Sequence, residues 1–499
     1  MIKNTIANFL GLFLSLLLNF IFAPIFLYYL GDDQYGLVGI FLLFQLIFTV
    51  LDVGLSPTLS RQISCISGMQ KDFDEVLKLL KSFEVIFLVF ASLTLLGFSL
   101  ASDIIISFIH ERSSLGKELV RECVTILGLL ISVRWFFSLY RSGLIGFEDQ
   151  VWLNITISVT NTLRHLFIFG LFLLNYIDVT LFFALQLSFV IADVFLLKKR
   201  LYSHFFIKTL PLPVIYFNSK VVKEILPFAS SVALSAILWV SVNNLHKTVL
   251  SVELTLKEYG YFTIMTMLSG SIILIAQPVS QSLIPRLTML KSKRADVELL
   301  NLYTQSSQFI AALSFSIMAL FWFHAEQILM IWTQNAELAK WGAAPLRWFA
   351  LGNCFLCLSG FPYFLQVATG KLNLHLLGQL LATCIQVPLI YFAITNYGIT
   401  GAGVAWAIFR AIWFFLWVAF IHNRLSPGFH FSWLFQKILP VIFTIIIISG
   451  CYFLFTQPLE IIRPWQKICS YTVMFIVTFT ITMLWIEGFR NFIHNKIKH

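Results

Sequence analysis

Residues 4–30 read NTIANFLGLFLSLLLNFIFAPIFLYYL, with no ionised side chain. At 1.5 Å per residue a helix of this length crosses a hydrocarbon core of about 30 Å. Working outward from it, apolar stretches of similar length follow at 36–60, 82–109, 118–140, 151–174, 179–197, 225–250, 261–285, 304–331, 344–368, 374–395, 401–421, 438–457 and 465–487. Inside a bilayer each such segment must satisfy its own peptide groups, and none shows strand-like alternation, so all are expected to be helices. The chain is predicted to be an all-α integral membrane protein of about 14 transmembrane helices. The first stretch follows Lys3 and carries Asn8, Asn19 and Pro24 with no small-residue cleavage pattern. It is expected to be a retained helix, not a removed leader.

Composition leaves no room for a soluble catalytic domain: 59% of the 499 residues are hydrophobic and 12% charged, with a mean hydropathy of +0.86. A net charge of +10 would suggest nucleic acid in a soluble protein. Here the cations sit in short loops, where they record topology, so no nucleic-acid partner is expected. The cysteines are scattered singly except Cys354 and Cys357. That C-x-x-C lies inside a span with no second pair or histidine cluster, so it reads as small packing residues, with no metal and no disulfide framework.

Alternate loops differ in charge. One set holds Lys71, Lys78 and Lys81, then Lys198, Lys199, Arg200, Lys208, Lys220 and Lys223, then Lys291, Lys293 and Arg294, and the tail adds Arg490, Lys496 and Lys498. The other set holds Asp32, Asp33, Asn175, Asp178, Glu253, Glu258 and Glu337 with fewer cations. The positive-inside rule places the basic loops and both termini in the cytoplasm.

The chain also repeats itself at a constant offset. Asp33-Gln34-Tyr35-Gly36 opens the second span and Lys257-Glu258-Tyr259-Gly260 the eighth. Pro57 with Arg61, and Pro285-Arg286, close those two spans. Leu144-Ile145-Gly146 and Ala368-Thr369-Gly370 close two others, and the interval from Gly146 to Gly370 equals that from Gly36 to Gly260. An offset spanning six helices keeps both copies in the same orientation, related by an axis along the membrane normal. The expected organisation is a six-helix lobe over 1–200, a basic linker over 201–224, a second six-helix lobe over 225–421, and an additional helix pair with a cytoplasmic tail over 422–499.

Several of these motifs carry a family likeness. Leu30-Gly31-Asp32-Asp33-Gln34-Tyr35-Gly36, Leu51-Asp52-Val53-Gly54-Leu55-Ser56-Pro57 with Arg61, Ser142-Gly143-Leu144-Ile145-Gly146-Phe147, Asn244-Leu245-His246-Lys247 and Pro285-Arg286-Leu287 resemble the polysaccharide flippases. These are the Wzx-type O-antigen transporters of the multidrug/oligosaccharidyl-lipid/polysaccharide exporter superfamily. The resemblance implies two lobes of the multidrug-exporter (MATE) kind in pseudo-two-fold relation. It also implies outward flipping of an undecaprenyl-diphosphate-linked glycan across the bacterial inner membrane by alternating access, without a cofactor and without enzymatic chemistry. A polysaccharide polymerase and a chain-length regulator are the partners it implies, besides the bilayer. Where many relatives carry an acid this chain has His246, so an ion-coupling role for that acid does not transfer. No Walker-type glycine loop is present.

Ionisable groups inside spans cost about 2.5–3.5 kcal/mol each on insertion scales and so face a cavity or a partner. Arg134, Arg164, Arg410, Lys247 and Arg347 are the candidate cationic lumen, Arg164 and Arg410 near mid-depth, Arg134 toward the inner face, Lys247 and Arg347 toward the outer. A guanidinium holds phosphate bidentately, which suits a diphosphate head group; snorkelling to an interface is the competing reading for Lys247 and Arg347. Arg61 and Arg286 mark the inner mouths, as topological anchors or as steering charges. Asp52, His165, Asp103 and Glu326 are candidates for proton coupling, the membrane potential being the alternative driving force.

Polar stripes at helical spacing, Asn8/Ser15/Asn19, Asp52/Ser56/Ser60 and Ser231/Ser235/Trp239/Asn243/Lys247, line a wet interior or pack helices. In the third of these, Trp239 and Asn243 are candidate glycan contacts. Two rival functions remain. A cation-coupled multidrug exporter needs acids where this chain has arginines, and a polytopic glycosyltransferase, polymerase or ligase needs a sizeable outer loop that the short segments here do not supply. Asn175→Cys and Glu258→Cys are expected to react with a membrane-impermeant maleimide on intact cells, and Lys199→Cys and Lys293→Cys only after permeabilisation. The reverse pattern overturns every face assigned above.

Overall fold

The computed structural model describes residues 2–52, 55–68, 73–205, 216–218, 237, 240, 243–371, 373–456 and 464–486. Helices follow one another along the described chain: α1 (Ile2–Leu30), α2 (Asp32–Asp52), α3 (Leu55–Gly68), α4 (Phe73–Glu111), α5 (Lys117–Gly146), α6 (Gln150–Leu173), α7 (Val179–Ser203), α8 (Leu256–Ser292), α9 (Asp296–Thr333), α10 (Ala336–Ser359), α11 (Phe361–Thr369) and α12 (Asn373–Leu425). A π-helical turn, Ser432–Ile438, then leads into α13 (Leu439–Thr456), and α14 (Pro464–Met483) follows. Ten of the described helical stretches are long and apolar enough to cross a membrane. The predicted span at 225–250 lies mostly outside the described residues.

The expected spans 374–395 and 401–421 follow one another without a loop in α12, as two helices that meet at a kink at Gly398 with φ 60° and ψ −151°. That conformation is open to glycine and strained for other residues, which is why the chain can turn there without a loop. Conversely the expected span 344–368 is divided at Gly360, with Pro362 in the first turn of α11. Pro24, Pro278 and Pro285 stay inside α1 and α8. Asp178 and Asn335 start α7 and α10 by accepting hydrogen bonds from the backbone N–H of Leu181 (2.8 Å) and Leu338 (3.0 Å).

The chain divides into two compact units, Met1–Gly260 and Tyr261–His499. In the first, α5 is the central helix, packed on α3, α4 and α7, while α1 pairs with α6. Of the most apolar window of α5 56% is enclosed, against 22% in α4 and 17% in α6, so α5 is the more interior helix of this unit. In the second unit α10 takes the central place between α9 and α12, and α13 and α14 pack on α9. The repeat is visible in the helix boundaries. The interval from the start of α4 at Phe73 to that of α9 at Asp296 equals the interval from the start of α6 at Gln150 to that of α12 at Asn373.

Polar contacts join the helices pairwise. The Asn8 stripe of α1 meets α6: Asn8 donates to Gln150 Oε1 at 2.7 Å and accepts from Asn154 at 2.6 Å, and Asn161 donates to Ser15 at 3.5 Å. For helix one the packing role of that stripe is therefore what the structure displays. The C-terminal pair is tied to α9 in the same way, by Trp433 Nε1 to Ser307 (2.8 Å) and Gln308 to the Lys437 carbonyl (3.2 Å). A buried Tyr303–His422–His430 chain of hydrogen bonds (2.7 and 3.0 Å) lies beside it.

The two copies of the repeated turn meet each other. Tyr35 and Tyr259 are both buried, Lys257 lies 3.5 Å from Asp32, and the Leu256 N–H donates to the Arg112 carbonyl at 2.9 Å. Gly36 faces the second copy so closely that a Cβ there would stand 2.1 Å from the Leu256 carbonyl oxygen; at Gly260 a Cβ would stand 3.1 Å from the Gly36 nitrogen. Gly36→Ala is therefore expected to lower stability by about 1–3 kcal/mol, the usual range for overpacking, and Gly260→Ala by less. Thermal unfolding of the purified protein in detergent, followed by loss of the monodisperse peak, checks the order; a wild-type midpoint for Gly36→Ala overturns it.

Candidate functional site

In the first unit, three of the intramembrane charges converge. Arg134 on α5, Arg164 on α6 and Asp193 on α7 lie within electrostatic reach of one another. Each stands close to the midpoint of its helix, within about 4 Å along the axis. α5 continues to Gly146, past the expected end of its span. Asp193 is buried, and its Oδ1, together with Nε of both arginines, is enclosed without a hydrogen-bond partner among the described residues. The Arg134 guanidinium sits over the Phe41 ring at 5.7 Å. Two cations face one anion, so the cluster carries an excess of positive charge and unused N–H donors.

A polar track leads away from it along α5. Arg134, Ser138 and Arg141 are spaced i, i+4, i+7 on one helix face. At the far end of that face Asp52 accepts hydrogen bonds from Ser138 and from Ser56 (2.6 Å), with Arg141 in electrostatic reach. Asp52 closes α2 and Ser56 belongs to α3, so one carboxylate links three helices. Arg141 was not among the residues expected from sequence, because it falls just beyond the span ending at 140. Its register with Arg134 was the available signal.

His165, next to Arg164, faces another way. Its Nδ1 is 2.7 Å from the Asn161 carbonyl, and its ring lies against Phe22 and Phe26, at 5.1 and 5.8 Å. Asp103 and Glu326 are exposed, as are Arg61 and Arg286. Lys247 and Asn243 are half-buried, with the Lys247 carbonyl accepting from the Tyr259 hydroxyl at 3.3 Å. Trp239 lies outside the described residues.

In the second unit Arg410 is buried near the middle of the segment after Gly398, its guanidinium 4.3 Å from the Trp406 ring centre. Trp406 Nε1 donates to Asn353 Oδ1 at 3.1 Å, and Asn353 Nδ2 donates to the Ser269 carbonyl at 2.9 Å. A cation–π contact of this kind, with the indole locked by a second hydrogen bond, holds the guanidinium in one orientation. Arg347 lies elsewhere in this unit, lining a separate cavity with Trp322, Trp348 and Phe453. Cys354 and Cys357 are free thiols directed at helix carbonyls, Ser314 (3.2 Å) and Ile272 (3.8 Å). Among the described residues no group of three or more His, Cys, Asp or Glu is placed to hold a metal ion.

Comparison with known proteins adds the following. The model of the family described as "Polysaccharide biosynthesis protein" matches residues 1–291. Among solved structures, the lipid II flippase MurJ in an inward closed conformation superposes with a TM-score of 0.72 at 16% identity, covering 99% of this chain and all of that one. An inward-facing multidrug-resistance MATE transporter of the MOP superfamily superposes at 0.65 with 15% identity, covering 83% of this chain and 94% of its own. A MOP superfamily transporter from Pyrococcus furiosus superposes at 0.55 with 14% identity, covering 85% and 95%. At these identities the likeness is one of fold. No curated protein is matched by sequence.

The convergence of Arg164 and Asp193 sets an expectation for a double-mutant cycle. Arg164→Gln and Asp193→Asn should each lower the unfolding midpoint, and the double variant should lose less than their sum, with a coupling of at least about 0.5 kcal/mol. Simple additivity would show that the two side chains do not act on each other.

Proposed function

The chain belongs to the polysaccharide biosynthesis protein family, and from that premise we propose that it flips an undecaprenyl-diphosphate-linked oligosaccharide unit across the bacterial inner membrane. The unit would leave the cytoplasmic leaflet for the outer one by alternating access, serving O-antigen, capsule or exopolysaccharide synthesis. The observation that carries the reading is the pair Arg134 and Arg164, half-buried at mid-helix beside a single acid, each with an enclosed Nε that has no hydrogen-bond partner among the described residues. An anionic head group with several acceptor oxygens satisfies such donors, and a cationic drug does not.

In this reading Arg134, Arg164 and Arg410 hold the diphosphate in turn. Arg61 and Arg286 draw it in at the cytoplasmic face, where both termini lie. Trp239 and Asn243 contact the sugars. Of the acids considered for coupling, Asp52 is the one joined to the polar track below Arg134, through Ser138. The protein acts without chemistry on its substrate, in a bilayer shared with the polymerase that consumes the flipped unit.

Arg164→Ala and Arg410→Ala, at wild-type expression, should abolish surface glycan and leave the completed lipid-linked unit on the cytoplasmic face, with lysine at either position restoring part of the transport. Wild-type transport by both alanine variants would remove the phosphate-holding role. In a strain lacking the protein, units that reach the outer face unpolymerised would favour an enzyme, and unchanged glycan with raised drug sensitivity would favour an exporter.

A further inference from the structure

Arg347, like Lys247, is an intramembrane cation that the proposed path does not use. It lines a cavity of about 290 Å³ in the second unit, together with Trp322 and Phe323 of α9, Ala344 and Trp348 of α10, and Phe453 of α13. The aromatic walls are fixed by one another: Trp322 and Trp348 meet edge to face at 5.3 Å, and Phe323 stacks on Phe453 at 5.0 Å. The Arg347 Nε is enclosed and has no hydrogen-bond partner among the described residues. Glu326, one turn beyond Trp322 on α9, is exposed and forms no ion pair with it.

A guanidinium held within a membrane span costs about 2.5–3.5 kcal/mol unless something compensates it. Here the described residues supply aromatic faces but no anion. Trp322 precedes the end of α9 at Thr333 by about three helical turns, and Arg347 follows the start of α10 at Ala336 by about as many. Arg347 lies about two helical turns, roughly 10 Å, beyond Lys340, an exposed cation on the same helix. The ends lie on the face opposite the basic loop Lys291–Arg294, so the cavity occupies the half of the span remote from that loop. An arginine stem reaches several ångströms toward an interface, and tryptophan settles at head-group level. The wall residue Phe453 is followed by Leu454 and Phe455, which are 72% and 79% exposed, so the cavity adjoins surface that hydrocarbon chains cover.

We propose that this cavity seats the phosphate of an anionic phospholipid from the surrounding bilayer, with Arg347 as its ligand and the Trp322–Trp348 pair as the amphipathic wall. The lipid completes the contact between α13 and the α9–α10 pair. This assignment does not depend on the transported substrate.

Native mass spectrometry of the full chain in mild detergent, titrated with phosphatidylglycerol and phosphatidylcholine, tests it. Wild type should retain phosphatidylglycerol preferentially. Arg347→Gln should reduce that retention at least fivefold, with Arg347→Lys between the two. Ala344→Phe, which fills the cavity and keeps the charge, should lose the lipid as well, and it keeps the test decisive if Arg347→Gln does not elute as a folded species. Equal retention by wild type and both substitutions overturns the proposal. So does displacement of phosphatidylglycerol by equimolar undecaprenyl diphosphate, which would make this a station for the transported lipid. Displacement by millimolar inorganic phosphate also overturns it, since the site would then bind the free anion.

Discussion

A hydrocarbon core offers no hydrogen-bond partner to an exposed peptide group and no solvation to a charge. The first half of that constraint forces every crossing segment into a helix and sets the length of each. The second half governs where function can sit, because an ionised side chain persists at mid-depth only if something outside the ordinary packing compensates it. In this chain the two halves meet on α5. It is the most enclosed helix of the first unit and also carries Arg134, Ser138 and Arg141 on one face. A helix that contacts α3, α4 and α7 along its length gives those side chains fixed positions.

Two kinds of polar contact are kept apart by the same constraint. Neutral amides and indoles are matched donor to acceptor: Asn8 with Gln150 and Asn154, Trp406 with Asn353, Trp433 with Ser307. Each such bond contributes on the order of 1 kcal/mol net and leaves no demand behind. The arginines behave differently. Arg134, Arg164 and Arg347 each keep an enclosed Nε with no partner among the described residues. It is on these open donors, which no amide or carbonyl of the described residues meets, that the proposed anion contacts rest.

The crossing segments, their order and the repeat were legible in the sequence because hydropathy and spacing are local properties. The interruptions were less so. The apolar runs on either side of Gly398 are two helices as expected, but they meet at a kink without a loop, and Gly360 splits a run that looked continuous. For a related reason Arg141 was missed: α5 runs on to Gly146, past the hydrophobic window, and carries Arg141 within the helix. Asp193 was visible as an acid in a span, but its convergence with Arg134 and Arg164 depends on how three helices rotate about their axes, which no single helix encodes. The stripe on α1 showed the opposite difficulty, since packing and pore lining use the same small polar residues.

The repeat itself separates scaffold from chemistry. Glycine turns, helix boundaries and the central helix recur at nearly one interval along the chain, and the tyrosines of the two turns, Tyr35 and Tyr259, are buried alike. The buried charges do not recur. At the offset that carries Phe73 onto Asp296, Arg134 corresponds to Cys357, Arg164 to Val387 and Asp193 to Leu416, while Arg410 corresponds to Leu187 and Arg347 to Val124. A duplicated scaffold with unduplicated charges presents a different chemical face in each half.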